Sequence, residues 1–439
     1  MYHSESGAAA AIAQAHTTQS ATPDSGARRD GTRRIGARRI GTAVYLIGLT
    51  SLLTDISAEM VASILPVYLM TVLRLSPLEY GLIDGLYNGA AGIIRVAAAY
   101  VADFAHRHKT VAFAGYLLSA LSKFALLFAG VAGWASVAGV ILVDRIGKGI
   151  RTAPRDALIA AHAKTGDIGL AFGVHRALDA IGAIIGPLLA TAILLWLPQR
   201  FDHVFIVSAC FAVLGLLVFG TLVPKATTLQ ANPGRISLRA AATAFKAPRF
   251  LLLLAASTLL SLFTLSDSMI YLGLQRELGF DARYLPLLFV ATACVFMALA
   301  IPVGRLADRI GHLKVFLFGY LMLALVYGLF PLLPAAGGAA AALYVILLGT
   351  YYAATDGVLA ALAVRQLPPQ MHATGIACLT TLTGFARMGS SILFGWAWET
   401  IGQHAAIGIF GGAMTVALVA AVAGGHYVER RHSITKEAT

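Results

Sequence analysis

A short charged run, residues 144–156, lies between long apolar stretches of this chain. Asp144, Lys148, Arg151 and Arg155 are spaced i, i+4, i+7 and i+11, so a helix would align them along one face. A charge at the centre of a membrane helix costs about 2.5–3.5 kcal/mol on insertion scales. Such charges are therefore retained where they face a partner, a water-filled path or a membrane boundary. The run therefore indicates a functional site within the membrane-embedded part of the protein.

Acidic residues in two further apolar segments have the chemistry to exchange protons. Asp55 and Glu59 are four residues apart and share a helix face, as do His175 and Asp179. A carboxylate in a low-dielectric site can bind and release a proton near neutral pH, and an aspartate beside a histidine can form a relay. A proton-coupled carrier needs this chemistry. Structural pairs with arginines of other helices would have the same spacing, so the sequence leaves both interpretations open.

Positive charge exceeds negative charge in the middle of the charged run, because Arg145 and Lys148 accompany a single aspartate. That surplus would suit an anionic substrate. Alternatively, carboxylates of other segments neutralise it through salt bridges. The residues that we assign to coupling or to the transport path are Asp55, Glu59, Asp84, Asp144, Arg145, Lys148, Arg151, His175, Arg176 and Asp179.

Composition indicates the class of protein. Hydrophobic residues make up 58% of the 439 residues and charged residues 12%, against about 25% charged residues in soluble domains. Apolar stretches of membrane-spanning length recur, which predicts an all-α polytopic membrane protein. The net charge of +12 is distributed over loops rather than on a soluble basic face, so nucleic-acid binding is not expected. The three cysteines are isolated, and we expect neither a metal site nor a cofactor.

Twelve transmembrane helices are predicted. Their approximate spans are 42–72, 78–102, 110–132, 135–160, 168–197, 203–223, 250–275, 284–306, 313–334, 340–364, 371–398 and 404–427. Basic residues concentrate in alternate connections, so the positive-inside rule places both termini in the cytoplasm. We expect a monomeric, multi-pass protein of the bacterial inner membrane, in contact with the lipid bilayer.

The chain reads as two related halves. Val-Ala-Asp103 followed by Lys109 resembles Leu-Ala-Asp308 followed by Lys314. A two-fold repeat of six helices suggests a transporter with a central cavity between two pseudo-symmetric bundles. The predicted organisation is a disordered basic cytoplasmic tail at 1–40, an N-terminal six-helix bundle at 41–223, a cytoplasmic linker at 224–248, a C-terminal six-helix bundle at 249–427 and a cytoplasmic tail at 428–439.

Short motifs carry a resemblance to a known family. The segment from Gly304 through Asp308 to Lys314 resembles the loop motif G-x-L-x-D-x-x-G-R-K of the major facilitator superfamily of secondary transporters. Arg145-x-x-Lys148-Gly149 is similar to the family's R-x-x-Q-G motif, with lysine in place of glutamine. The form GKGIRTAPRDAL also resembles a subgroup of prokaryotic members. The resemblance covers about residues 40–427.

The resemblance implies roles for particular residues. The family's loop motif controls closure on the cytoplasmic side, and the residues that we assign to gating are Asp103, Arg107, Arg155, Asp156, Asp308 and Arg309. Gly182-x-x-x-Gly186-Pro187 resembles a motif associated with antiporters. Small residues four apart allow close helix packing, and a proline weakens the local ladder, so we assign these three residues to packing or to a hinge.

The second half of the chain is poorer in intramembrane charge, with Asp267, Asp356 and Arg387 as its notable groups. We expect the first half to carry coupling and the second half to shape the apolar side of the cavity, with neutral hydrogen bonds from Tyr351, Tyr352, Thr380, Thr381 and Thr383.

The function expected from these features is secondary active transport of a small molecule or ion by alternating access, not an enzymatic activity. Proton-coupled export is the preferred form, in which protonation of an acid competes with an arginine or lysine partner. Two alternatives stay open. One is proton-driven import of an anionic or chelated-metal solute, and the other is a transporter-like sensor without flux.

Overall fold

The computed structural model describes residues 41–105, 107–163, 167–224, 247–368 and 371–437. All regular secondary structure within these ranges is helical. The α-helices are α1 Thr42–Val67, α2 Pro77–Gly89, α3 Ala91–Ala105, α4 His108–Ala129, α5 Trp134–His162, α6 Ile168–Trp196, α7 Phe201–Leu217, α8 Pro248–Leu262, α9 Asp267–Leu278, α10 Leu285–Ile310, α11 His312–Gly328, α12 Leu333–Gln366, α13 His372–Ile401 and α14 Gln403–Glu437.

Ten helical stretches in the described residues are long and apolar enough to cross a membrane. The other two predicted spans, 78–102 and 135–160, correspond to the α2–α3 pair and to α5. A turn at Ala90 separates α2 from α3, and α5 contains the charged run. The first 40 residues and most of the predicted linker lie outside the described residues. Helix α14 continues to Glu437, past the end predicted at 427.

The predicted span 250–275 lies within one apolar stretch of membrane-spanning length, Pro248–Leu278, but this stretch is not one continuous helix, because the structure breaks it into α8 and α9 at residues 263–266. The Tyr327 hydroxyl accepts a hydrogen bond from the Leu265 amide at 2.8 Å, and Ser390 Oγ donates to the Thr264 carbonyl at 2.9 Å. Ser266 caps the N-terminus of α9. These side chains satisfy backbone groups that apolar surroundings would leave without partners, so the break is stable inside the protein.

Packing joins helices that are far apart in the sequence. Helix α1 packs along α6 and α7, α4 packs along α5, and α12 lies against α10 and α11. We call residues 42–222 the first half and residues 248–437 the second half. Helices of the two halves meet where α2 packs along α13 and where α6 packs against α10. A large apolar core follows these contacts, with fully buried tyrosines such as Tyr80, Tyr271 and Tyr344.

Two ends of the molecule serve as reference points. The terminal end is the one where α1 begins at Thr42, and the distal end is the one where α2 begins at Pro77. Helix α2 starts with a capping box, in which Ser76 Oγ accepts from the Glu79 amide and the Glu79 carboxylate accepts from the Ser76 amide. This cap and the proline at the first helical position fix the start of the helix at the distal end.

Candidate functional site

A cavity of about 230 Å³ lies between helices of the first and second halves. It reaches toward the terminal end, where Ala363 lies three residues before the end of α12 and Ile376 lies four residues after the start of α13. The carboxylate, lysine and arginine side chains that line it, among the described residues, are Glu59 of α1, Arg95 of α3, Arg145 and Lys148 of α5, Asp356 of α12 and Arg387 of α13.

Two glycines explain how α5 presents Lys148 to the cavity. A Cβ on Gly147 would lie 2.8 Å from the Gly115 carbonyl oxygen of α4, and a Cβ on Gly149 would lie 2.8 Å from the Ala91 carbonyl oxygen of α3. Real Cβ atoms do not approach backbone this closely, so both helices pack directly on the α5 backbone. The Gly-Lys-Gly segment therefore wedges α5 between α3 and α4, with the lysine on the remaining, cavity-facing side.

Asp144 lies behind the cavity wall at the centre of a buried ion cluster. Lys123 Nζ of α4 lies 3.1 Å from its Oδ1, Ser122 Oγ donates to the same oxygen at 3.1 Å, and Arg145 pairs with its other oxygen. Arg145 also lies 4.0 Å over the Tyr87 ring, a cation–π contact. Asp144 shares its single negative charge between two cations, so the cluster keeps a positive charge on the side of Arg145.

Helices α1 and α6 hold the acidic candidates. A Cβ on Gly182 would lie 2.7 Å from the Leu52 carbonyl oxygen, and one on Gly186 would lie 2.7 Å from the Ile56 carbonyl oxygen, so these glycines bring the two backbones into contact. Asp55 interacts electrostatically with Asp179 of α6 and with Lys148 and Arg151 of α5. The structure thus brings together side chains from three helices that the sequence could only place on separate faces.

His175 is buried, and its Nε2 lies 3.9 Å from Asp179 Oδ1 on the same helix. That separation exceeds a direct hydrogen bond. Arg151 is also buried, and its guanidinium lies 4.8 Å over the Tyr116 ring of α4. Of the ten path candidates, Glu59, Arg145 and Lys148 line the cavity. The seven outside its lining are Asp55, Asp84, Asp144, Arg151, His175, Arg176 and Asp179.

Asp84 occupies a second, smaller space of about 50 Å³ on the distal side of the cavity. Its carboxylate accepts hydrogen bonds from Ser268 Oγ at 2.6 Å and Ser391 Oγ at 2.7 Å, both from the second half, and from Asn88 Nδ2 at 3.1 Å. Ser268 is the second residue of α9, so a first-half carboxylate lies at the internal N-terminus created by the helix break. A helix N-terminus stabilises negative charge.

The backbones of α2 and α13 touch next to Asp84. A Cβ on Gly81 would lie 2.5 Å from the Ser391 carbonyl oxygen, and a Cβ on Gly395 would lie 3.0 Å from Gly81 Cα. Further toward the distal end, the Glu399 carboxylate accepts from Ser76 Oγ at 2.8 Å and from the Leu78 amide at 3.0 Å. We call this set of contacts between α2, α9 and α13 the distal contact. It closes the cavity on that side.

The side chains assigned to gating occupy different environments. Arg155 is buried and bonds Asp156 at 3.0 Å and Ser51 of α1 at 3.4 Å, so this pair joins helices of the first half. Asp308 is exposed and lies 3.6 Å from Arg365 at the end of α12. Arg107 and Arg309 are exposed as well. The side chain of Asp103 lies outside the described part of the structure.

The second half contributes charged side chains to the cavity in addition to the expected hydroxyl and aromatic groups. Thr380, Thr381 and Thr383 line the cavity as expected, whereas Tyr351 lies behind the wall and bonds Arg387 Nη2 at 3.2 Å. Arg387 and Asp356 also line it, and the site assignment did not include them. Their signal in the sequence was an isolated charge within an otherwise apolar segment. The serines around Asp84 gave no such signal, because serine is common in membrane helices.

Comparisons with known proteins agree with this architecture. The family model described as Major Facilitator Superfamily matches residues 47–391 and 273–433. An uncharacterised MFS-type transporter of Methanocaldococcus jannaschii is 31% identical over 371 residues, which cover 81% of this chain and 88% of the relative. An uncharacterised protein of Mycobacterium tuberculosis is 33% identical over 151 residues, or 34% of this chain and 36% of that protein.

Solved structures share the fold at low sequence identity. The nucleoside transporter NupG superposes with a TM-score of 0.73 at 17% identity, covering 88% of this chain and 99% of NupG. A variant of a POT peptide transporter in complex with sulfate gives a TM-score of 0.73 at 15% identity, covering 90% of this chain and 96% of that chain. Family model, relative and fold agree, and this chain is a membrane-embedded transporter of the Major Facilitator Superfamily rather than an enzyme.

Proposed function

We propose that this chain is a secondary active transporter that moves a small solute across the cytoplasmic membrane by alternating access, coupled to protons. The observation that carries the proposal is the central cavity between the two halves. It is closed by the distal contact and reaches within about one helical turn of the terminal ends of α12 and α13. A cavity open toward one end and sealed at the other is what one state of an alternating-access cycle requires.

The membrane arrangement forms part of the proposal. Helices α2–α3 and α5 join the ten apolar stretches to give twelve spans, arranged as two pseudo-symmetric six-helix bundles. Both termini then lie in the cytoplasm, the terminal end faces the cytoplasm, and the described conformation is inward-facing. The protein would work as a monomer in the bacterial inner membrane.

Coupling is proposed to run through the acids of α1. Glu59 lines the cavity and interacts electrostatically with Lys148, which also interacts with Asp55. A carboxylate that gains a proton releases its cationic partner, and a carboxylate that loses the proton recovers that partner. Competition between a proton and Lys148 for these carboxylates would therefore change the charge of the cavity wall during each cycle.

Asp84 is proposed as the latch of the distal contact. It is the carboxylate that joins α2 of the first half to α9 and α13 of the second half through hydroxyl donors. Opening toward the distal side must break these bonds, which a state open at that end would replace with water. The exposed pairs of the loop motif, such as Asp308 with Arg365, are proposed to act at the opposite, cytoplasmic end.

Export is the proposed direction. It rests on the Gly182-x-x-x-Gly186-Pro187 segment, which resembles the antiporter motif and packs directly on the α1 backbone that carries Asp55 and Glu59. Movement of α6 at this contact would reach both acids. The alternative of proton-driven import of an anionic solute is favoured by a different observation, the cations that line the cavity.

A growth screen with and without the gene, across metals, siderophores and toxic organic compounds, tests transport and its direction. Lower intracellular accumulation of a solute in cells that carry the gene would support export, and higher accumulation would support import. The solute found would then be followed in reconstituted vesicles with and without an imposed pH gradient. Specific binding without flux under either condition would contradict transport and favour a sensor.

Variants test the coupling assignment in the same vesicles. Asp55→Asn, Glu59→Gln and Asp179→Asn should give folded protein, and at least one of them should lose pH-driven transport. Asp202→Asn is the matched control, because Asp202 is exposed and pairs with Arg200. Full proton-coupled flux in all three variants would show that coupling lies elsewhere.

A further inference from the structure

A small space of about 20 Å³ lies between Glu59 of α1 and Asp267 of α9. Glu59 also lines the central cavity, and Asp267 also lines the space around Asp84. The three spaces therefore form a series from the central cavity to the distal contact, and each step of the series shares an acidic side chain with the next. Glu59 and Asp84 belong to the first half of the molecule, whereas Asp267 belongs to the second half.

The space between Glu59 and Asp267 suits a single water molecule. A buried water needs about 10–15 Å³ and two to four polar partners. Besides the two carboxylates, Thr292 lines the space, and its hydroxyl accepts a hydrogen bond from the Tyr271 hydroxyl at 2.6 Å. One water at this position would lie between carboxylates of the two halves, and one water is enough to carry a proton between two groups.

Serine hydroxyls continue the series from Asp267 to Asp84. Asp267 is the first residue of α9, directly between Ser266 and Ser268. The Oγ atoms of these serines are 2.8 Å apart, and Ser268 Oγ donates to Asp84 Oδ1 at 2.6 Å. The space of about 50 Å³ that they line together with both aspartates has room for more than one water. Hydrogen-bonding groups therefore lie between the two carboxylates.

The hydroxyl of Tyr80 independently indicates a polar occupant in the space around Asp84. Tyr80 is 1% exposed and lines this space, and its hydroxyl has no hydrogen-bond partner among the described residues. A buried hydroxyl without a partner is unfavourable, and a water in the same space would supply the missing hydrogen bond.

Asp267 has both acidic and basic neighbours. The charged groups that share a space with it or interact with it electrostatically are Glu59 of α1, Asp84 of α2, Asp356 of α12 and Arg387 of α13. The tyrosines that do so are Tyr80, Tyr87, Tyr271, Tyr327 and Tyr352. Tyr352 donates a hydrogen bond to the Asp267 carboxylate. Each neighbouring charge changes how firmly a carboxylate holds a proton, so movement of these helices would change the proton affinity of Asp267.

We propose that Glu59, Asp267 and Asp84 form a proton-transfer chain, joined by water and serine hydroxyls, that connects the central cavity with the distal contact. This inference rests on the proposed proton-coupled function, to which it adds an acid of the second half and a route to the latch. In each transfer, the O–H bond of one carboxylic acid breaks as an O–H bond forms on the bridging water. That water passes another of its protons to the next carboxylate, so the water is regenerated and one proton has moved. Chains of acidic residues serve as proton relays within membranes.

Cysteine labelling in vesicles tests the chain with the proton as the only ligand. The full-length protein carries Leu65→Cys, which lines the space around Asp84, and its three native cysteines are replaced by serine. A membrane-impermeant maleimide in the medium labels the molecules whose distal end faces outward. The external pH is held constant while the pH inside the vesicles is lowered.

Proton uptake by Asp84 through the chain should raise the labelling rate roughly tenfold. The physical reason is that a protonated Asp84 loses the charge-assisted hydrogen bonds that hold the distal contact. A labelling rate that does not depend on the internal pH would overturn the proposal.

Variants separate the chain from a general effect of acid. Asp267→Asn removes the middle acid, so labelling should no longer respond to internal pH. Asp84→Asn should label rapidly at every internal pH, and the double variant should do the same, which shows that the reporter still works without Asp267. Asp281→Asn, at an acid paired with Arg283 outside these spaces, is the control and should respond like the parent. A parental response in Asp267→Asn, or any response in Asp84→Asn, would overturn the proposal.

Solute flux separates this inference from the proposed function. Absence of flux for every solute of the growth screen would contradict transport, whereas the labelling response would still establish the chain. Flux that keeps its full dependence on a pH gradient in Asp267→Asn would support coupled transport and overturn the chain.

Discussion

The distal contact and the wall of the central cavity both lie where the two halves meet, but different kinds of residue form them. The distal contact brings backbones together over Gly81 and Gly395, and its carboxylates, Asp84 and Glu399, accept hydrogen bonds from serine hydroxyls. The cavity wall carries long charged side chains from helices of both halves. Small residues with satisfied polar groups allow close backbone contact, whereas charged side chains around a cavity require counter-charges, water or a ligand.

Two aspartates show the same difference at the level of single residues. Asp144 bonds cations of its own half and never reaches the second half in the described contacts. Asp84 bonds serines of the other half. The first aspartate should therefore govern the stability of the fold, and the second should govern the balance between conformations.

Asp144→Asn is expected to have the largest effect. It leaves Lys123 and Arg145 buried without their shared carboxylate, which should destabilise the protein by about 3–5 kcal/mol. The thermal unfolding midpoint of purified protein measures this, with Asp202→Asn as a control expected to stay within about 1 kcal/mol. Equal midpoints for the two variants would remove the structural role of Asp144.

Gly81→Ala should open the distal contact. The added methyl group would lie 2.5 Å from the Ser391 carbonyl oxygen, and overpacking of this kind costs about 1–3 kcal/mol. A single cysteine at Leu65, which lines the space around Asp84, reports opening by its rate of labelling from the distal side. The native Cys210, Cys294 and Cys378 are replaced by serine in this background. Gly139→Ala, where a Cβ meets open space, should leave the rate unchanged.

Asp84→Asn should shift the conformational balance with little loss of fold stability. Removing the charge weakens the hydrogen bonds from Ser268 and Ser391, and a loss of about 1.4 kcal/mol would raise the labelling rate at the same cysteine roughly tenfold. The unfolding midpoint should change far less than in Asp144→Asn. A labelling rate equal to that of the parent would contradict the latch.

Asp308→Asn is expected to have the smallest effect on stability. Asp308 and Arg365 are both exposed and 3.6 Å apart, and exposed pairs contribute about 0–1 kcal/mol. The free energy of unfolding of the variant should lie within about 1 kcal/mol of that of the parent. A larger loss of unfolding free energy would mean that this pair is buried in another conformation. The terminal end would then contain a closing contact comparable to the distal contact.

Much of the site could be anticipated from residue types. Which of these residues line the cavity and which lie against other helices could not. The intramembrane charges of α5 and the acids of α1 were evident, and Glu59, Arg145 and Lys148 line the cavity. Helical spacing groups residues on one face without saying which neighbour that face meets. Asp55 and Arg151 share faces with cavity residues, yet they lie against other helices.

The break between α8 and α9 shows a second limit. Residues 263–266 contain neither glycine nor proline, and their apolar surroundings predicted a continuous helix. Bonds from Tyr327 and Ser390, more than 60 residues away, make the break possible. Long-range partners of this kind leave no local signal.

The sequence by itself determined the membrane class, the charged helix, the family motifs and the positions of the intramembrane acids, because hydropathy and residue chemistry are local properties. Only the tertiary structure decided that Asp144 pairs with both Lys123 and Arg145, that Asp84 bonds serines of the second half and that Arg387 lines the cavity. These pairings depend on the rotation and approach of helices distant in the sequence. Glycines such as Gly115, Gly147 and Gly182 set those approaches through backbone contact, which residue type alone does not specify.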